Sequence, residues 1–233
     1  MPAISTCPGR SALCEDLCYG QKGLYFMPNV VEALALRMEL RRETRFVEAI
    51  VAQIKAERIR TVRIHAVGDF DYVWYVRAWA KIAQASRGTI FCVYTRSWRV
   101  ARLQPELKKL AKIRNLRVWL SCDRETGAPP RWRGTRRAYM QIDDADIPAF
   151  WVDLVFRTDY HHSVIKYVNG ALVCCVENGV TKGVTCDVCK LCYLNKPIIR
   201  KDRVHASRVE GHHSLSLPQP RNDGVLSGVV DQR

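Results

Sequence analysis

From residue 30 onward the apolar positions switch repeatedly between a helical and a strand period. Val31, Leu34 and Met38, then Phe46, Val47, Ile50, Val51 and Ile54, recur at helical spacing up to Arg58. The polar run 41–45 between them makes this one long helix or two with a break. Thr61 to Val67 then reads as a strand ending at Gly68-Asp69. Asp71 is placed to cap a helix that buries Tyr72, Tyr75, Val76, Trp79 and Ala83. Thr89 to Tyr94 is a short apolar strand, Leu103 to Ile113 a helix starting near Pro105, and Leu116 to Ser121 the next strand, ending at Cys122-Asp123. Asp123 to Arg136 holds Gly127, Pro129, Pro130 and Gly134 and reads as a long loop. Strands follow at Ala138–Ile142, Trp151–Phe156 and Ala171–Val176.

Strands separated by helices with short connections predict parallel pairing with right-handed crossovers. A run such as Ile90 to Val93 suits a strand buried on both faces. The expected fold is α/β, either a partial (β/α) barrel or an open parallel sheet. Residues 1–29, rich in Pro, Gly, Ser and Cys, form an N-terminal cysteine loop, and 171–202 a C-terminal cysteine-rich segment attached to the core at 1–170. Residues 203–233 are polar and without period, the pattern of a disordered tail.

Composition narrows the class. No run of about 18 apolar residues is present, which argues against a membrane span. The N-terminus shows no charged-then-apolar signal, so the expected location is cytoplasmic. There, clustered cysteines are metal ligands or catalytic groups more often than disulfides. The formal net charge of +14 points to nucleic acid or another polyanion as partner or substrate. A solvated basic surface is the blander reading, and no ready-made nucleic-acid recognition motif is present.

The ten cysteines fall as three, two singles and five. Cys186, Cys189 and Cys192 carry the C-x2-C-x2-C spacing of cluster proteins, with Cys175 or Cys174 to complete four ligands. Thiolates select zinc, copper(I) or iron–sulfur clusters. A [4Fe–4S] cluster is favoured here, with zinc as the alternative metal and a purely structural staple as the plainest role. Cys7, Cys14 and Cys18 offer three thiolates and no obvious fourth. A cluster held there keeps one iron open, as a catalytic metal site requires. Cys122 is a candidate fourth ligand; Cys92, in mid-strand, reads as buried and inert.

Functional groups collect at the carboxyl ends of parallel strands. Three successive strand ends supply His65 with Gly68-Asp69, Tyr94 with Arg96, and Ser121 with Asp123. His65, Asp69, Arg96 and Asp123 are candidate catalytic residues; Gly68, Asp69, Tyr94 and Ser121 are candidates for holding a cofactor. The cysteine loop is expected to fold onto the same rim.

The run PAISTCPGRSALCEDLCYG, with RIHAVGDF, VYTRSW, WLSCDRETG and CDVCKLC, resembles the phage gene product 88 family from Pro2 to about Leu194. The resemblance implies a phage or prophage origin, hence a bacterial host cytoplasm, and transfers no activity. The order of elements is similar, more loosely, to the radical S-adenosylmethionine superfamily. That likeness implies a cluster on Cys7, Cys14 and Cys18 whose open iron holds S-adenosylmethionine beside Gly68-Asp69, an external electron donor, and hydrogen abstraction from a substrate. The spacing here, C-x6-C-x3-C, departs from that superfamily's C-x3-C-x2-C. The competing function class is a non-catalytic, basic nucleic-acid-binding protein with structural iron–sulfur or zinc sites.

Overall fold

The polar run at 41–45 divides the first helical stretch. In the computed structural model, which describes residues 1–158, 166–176 and 185–194, Pro28–Leu40 (α2) and Phe46–Ala56 (α3) are separate helices. They follow a short N-terminal helix, Ala12–Asp16 (α1). Arg41, at the end of α2, is almost wholly buried and grips Asp71 with Nη1 and Nη2, at 2.6 and 2.7 Å. Asp71 therefore does not cap the next helix. That helix, Val73–Ala85 (α4), begins after Tyr72 with no side-chain cap. Tyr72 is exposed, whereas Tyr75, Val76, Trp79 and Ala83 are buried as their spacing predicts.

The strands are Thr61–Ile64 (β1), Ile90–Thr95 (β2), Leu116–Cys122 (β3), Thr135–Gln141 (β4), Leu154–Arg157 (β5), Tyr167–Val168 (β6) and Ala171–Val173 (β7). Their order in one sheet is β1-β2-β3-β4-β5-β7-β6, so of the two expected options the sheet is the open one, not a barrel. Every pairing is parallel except β6 with β7. That hairpin, which the apolar pattern did not suggest, turns on Asn169 and Gly170, both at positive φ. β1 stops three residues short of the expected Val67 because His65 takes a φ of 65° and bends the chain away.

Sequential parallel order places the crossover helices on one face. α3, α4 and Gln104–Leu110 (α5) pack there on Phe91, Val93, Leu116, Val118 and Leu120. Leu103, Leu107 and Leu110 are completely buried, each contributing about 1.5–3 kcal/mol relative to exposure. The opposite face carries the residues of other parity: Tyr94, Trp119, Ala138, Leu154 and Phe156, covered by Leu191 and Cys192. Trp119, fully buried, stacks on Tyr94 with ring centroids 5.6 Å apart. All the described residues belong to one compact unit, 1–203. The stretch 203–233, expected to be a disordered tail, lies outside the described residues. No described helix is long and apolar enough to cross a membrane.

Candidate metal centre

Three strand ends meet the N-terminal loop through a short chain of polar contacts. After β1, Asp69 turns its carboxylate onto the backbone beyond β2: Oδ2 accepts from the Arg96 and Ser97 amides at 2.7 and 3.1 Å, and Oδ1 from the Phe70 amide at 2.7 Å. Arg96 in turn donates from Nη1 to Asp123 Oδ2 after β3. Asp123 Oδ1 accepts from the Glu125 and Thr126 amides, both at 2.9 Å, fixing the turn that starts the long loop.

The loop is locked onto this frame from residue 6 to residue 13. Ser11 Oγ donates to Asp123 Oδ2 at 2.5 Å and accepts from the Cys14 amide, capping α1. The Leu13 amide reaches Glu125 Oε2 at 2.9 Å. Arg99 donates to the carbonyls of Gly9 and Arg10. Gly9 lies so close to the Arg96 carbonyl that a Cβ would stand 2.0 Å from its oxygen. Gly68, at φ +82°, leaves room for Thr6 and Met1, whose side chains a Cβ there would strike.

The frame sets Cys7, Cys14 and Cys18 over the rim, all half-buried. Burial pushes the Cys7 thiol up to about 12, and Asp69, Cys14 and Cys18 add to the rise. Burial also raises Cys14, with Arg96 opposing and Cys18, Asp123 and Asp69 reinforcing it. Cys18 stands near enough to raise both Cys7 and Cys14, and thiols gathered beside two carboxylates ionise together more readily when a cationic centre joins them. Among the described residues no three His, Cys, Asp or Glu side chains close around the position of a single ion. By their chemistry alone, thiolates as a donor set suit zinc, copper(I) or an iron–sulfur cluster.

Asp69 and Asp123 differ in electrostatics. Burial carries the Asp69 carboxyl up to about 6 against its hydrogen bonds. Burial acts on Asp123 in the same direction, but Arg96 and the Ser11 hydroxyl outweigh it and hold this carboxyl below the usual range.

The other candidates do not all join the rim. His65 turns beneath it into an aromatic cluster, its ring edge-on to Phe70 at 4.9 Å and its Nε2 3.2 Å from the Tyr75 hydroxyl. Burial drives it down to about 3, so it is neutral. Tyr94 lies on the open face, and Ser121 meets the rim region through its carbonyl, which accepts from Trp98 Nε1 at 2.9 Å. Cys122, the candidate fourth ligand, points into the helix-side core, its Sγ 3.3 Å from the Ala138 carbonyl, and burial lifts its thiol to about 12. Strand alternation explains this: Cys122 shares parity with Val118 and Leu120.

The second cysteine group collects on the open face. Cys186–Cys189 form one helical turn (α6), Lys190 takes a left-handed φ of 50°, and a 3-10 turn follows at Leu191–Tyr193. Cys175 Sγ lies 3.5 Å from Cys189 Sγ, and burial together with Cys189 and Cys186 raises its thiol. Cys192 is raised by burial and by Cys186 and Cys189, while its carbonyl accepts from Trp119 Nε1 at 3.1 Å. Cys174 packs with Trp119, Ala138 and Leu154, so of the two neighbours it is Cys175 that faces the group.

Cys92 is buried here, as its mid-strand position predicted, whereas Arg63 escaped the sequence reading. Cys92 lies beneath this segment, its thiol lifted to about 12 by burial, with Tyr193 as hydrogen-bond partner. Arg63 stands over the Tyr94 ring at 5.4 Å, within the field of Cys92 and Cys186. The available signal was parity: Arg63, Cys92, Tyr94 and Trp119 all alternate away from the apolar positions that the helices cover.

The gene product 88 family model matches residues 1–206, and the chain belongs to that family. It is 24% identical over 201 residues to the Gene 88 protein of Mycobacterium phage D29, covering 80% of this chain and 78% of the relative. To the Gene 88 protein of Mycobacterium phage L5 it is 23% identical over 201 residues, covering 80% and 77%. Both relatives are phage proteins, in keeping with a bacteriophage origin. No solved structure matches the chain. These matches lend nothing to the likeness with the radical S-adenosylmethionine superfamily, which rests on element order.

Proposed function

We propose that this protein is an iron–sulfur enzyme of phage origin, with a [4Fe–4S] cluster held by Cys7, Cys14 and Cys18 over the strand-end rim. S-adenosylmethionine is the ligand proposed for the open iron, and a reducing partner protein is the proposed electron source. One observation carries the reading: Ser11, Arg96 and Asp123 clasp the three-cysteine loop to the ends of two strands, beside the Asp69 turn that closes the first. A structural staple has no need of that position, whereas a site that must meet a substrate does.

When bound, such a cluster supplies electrons one at a time to whatever occupies its open iron. The chain's own residues have plainer tasks. Asp69 fixes the backbone beyond β2, and Arg96 and Asp123 hold the loop's entry. Cys175, Cys186, Cys189 and Cys192 form a second site in this reading, for another cluster or for zinc.

Anaerobic reconstitution followed by iron, sulfide and zinc analysis, with absorption and paramagnetic resonance spectra, tests this. About eight irons per chain means two clusters and about four means one, with Cys14→Ala and Cys189→Ala showing which site is filled. Zinc as the sole metal overturns the redox reading. A resonance spectrum of the reduced protein that ignores added S-adenosylmethionine overturns that ligand alone.

A further inference from the structure

Basic side chains line the amino-terminal edge of the sheet, opposite the cysteine rim. Two adjoining grooves, of about 350 and 880 Å3, run along the amino-terminal ends of β1, β2 and β3. The last turn of α3 and the α3–β1 connection supply Lys55, Arg58 and Arg60 to the first groove, and the end of α5 with the turn into β3 supplies Lys109, Lys112 and Arg114 to the second. Arg87, from the α4–β2 connection, lines both. No carboxylate is among the described lining residues, and of these cations only Lys109 forms an ion pair among the described residues, with Glu106.

This edge is rigid. Thr89 Oγ1 donates to the Ile59 carbonyl at 2.7 Å, and the Ile90 amide to the Arg60 carbonyl at 2.9 Å, tying the first connection to the second. Asn115 Nδ2 donates to the carbonyls of Ala83, Ser86 and Thr89 at 2.9, 3.1 and 2.9 Å, tying the second to the third. The cations thus project from three connections held at strand spacing, a row about 10 Å wide.

We infer that this edge is a nucleic-acid-binding surface that grips the phosphate backbone. Duplex DNA offers a charge about every 1.7 Å along its axis, so a row of this width meets several phosphates at once. The recessed shape, and the absence of aromatic side chains among the described lining residues, favour a projecting phosphate backbone over a flat anionic membrane. With nothing to stack on bases, the surface takes nucleic acid without regard to sequence. It lies about 20 Å along β3 from the rim, so this inference stands whether or not the cysteines hold a cluster.

Fluorescence anisotropy of the full chain with a labelled DNA duplex of arbitrary sequence, between about 50 and 200 mM salt, tests this. The double variant Lys112→Glu/Arg114→Glu should weaken binding at least about tenfold and flatten the dependence of log affinity on log salt by about 2. Arg87→Glu alone should weaken it less. All three residues are exposed, so the variants keep the fold, which circular dichroism verifies. Arg37→Glu/Arg45→Glu, the same charge change on exposed residues elsewhere, should leave affinity within about twofold if the edge is the site. Equal losses in the two double variants would mean diffuse attraction and overturn the inference. So would no binding by the unaltered protein, or binding to phosphatidylglycerol vesicles but not to DNA.

Discussion

Ser11 and Asp123, 112 residues apart in the chain, share a 2.5 Å hydrogen bond that closes the cysteine loop over the ends of the sheet. The same carboxylate oxygen takes the Arg96 guanidinium, so one buried group serves both the ion pair and the loop. Neither side chain of that pair retains more than 8% exposure. Removing one member leaves the other charged and unpaired, which typically costs about 3–5 kcal/mol. Asp123→Ala is therefore expected to lower the urea midpoint sharply. If the proposed cluster is present, the variant should also lose the iron held at the N-terminal site while keeping metal at the C-terminal one. Denaturation curves and metal analysis on one preparation check both.

Arg41 makes a second buried pair, with Asp71, and its guanidinium also lies 4.8 Å from the Tyr75 ring centroid. Arg41→Met is expected to destabilise by about 3–5 kcal/mol because it strands Asp71. The double variant Arg41→Met/Asp71→Leu should recover most of that loss, since a buried ion pair is often no better than an apolar one of similar volume. Urea unfolding of the two singles and the double gives the coupling directly. A double variant as unstable as the sum of its parts would show that the aromatic contacts outweigh the ion pair.

How far the sequence reached can be read from these same residues. Apolar periodicity placed most of the strands and the main helices, because a parallel sheet with helices on one face writes a plain pattern. It also directed Asp69, Arg96 and Asp123 to strand ends, and the cysteine loop did fold onto them. What periodicity could not show was direction around a bend. His65 looked like a fourth rim residue, but its positive φ turns it under the sheet's end. Asp71 looked like a helix cap because a capping position is local, whereas its partner Arg41 lies 30 residues earlier. Cys92 reads as buried, and it is, with its thiol lifted to about 12; what its own strand could not announce is the later segment that covers it.

The enclosed His65 ring carries a pH signature. The residue keeps some exposure, but its Nδ1 is buried with no hydrogen-bond partner among the described residues. Burial sets its folded value at about 3 against an ordinary 6.5. A histidine depressed on folding gives its full stability above the unfolded value and loses it as the pH falls from 6.5 toward 3. Between pH 6.5 and 4.5 that loss amounts to about 2–3 kcal/mol, close to 1.4 kcal/mol per unit. His65→Asn, which tolerates the left-handed backbone and does not titrate, should be less stable at neutral pH but show a shallower decline on acidification. Urea midpoints for both proteins at several pH values in this window decide it; parallel declines would mean His65 is already protonated in the fold.

Cys174 and Cys175, adjacent in the chain, are expected to behave oppositely on substitution. Cys174 is 7% exposed and packs against Trp119 and Leu154, on the face that Cys192 also covers. Cys174→Ala removes only a small buried group, for about 1–2 kcal/mol, and should leave the metal content of the C-terminal site intact. Cys175, with its sulfur 3.5 Å from that of Cys189, supplies a ligand in the proposed site. Its alanine variant should lose metal there and, with it, whatever stability the bound ion gives the segment. The readout is metal per chain alongside the thermal midpoint, each with and without a chelator. If Cys174→Ala is the variant that empties the site, Cys175 is not the fourth ligand and the geometry of the group must rearrange on binding. If neither variant changes the metal content, neither Cys174 nor Cys175 is a ligand, and the proposed four-cysteine set fails.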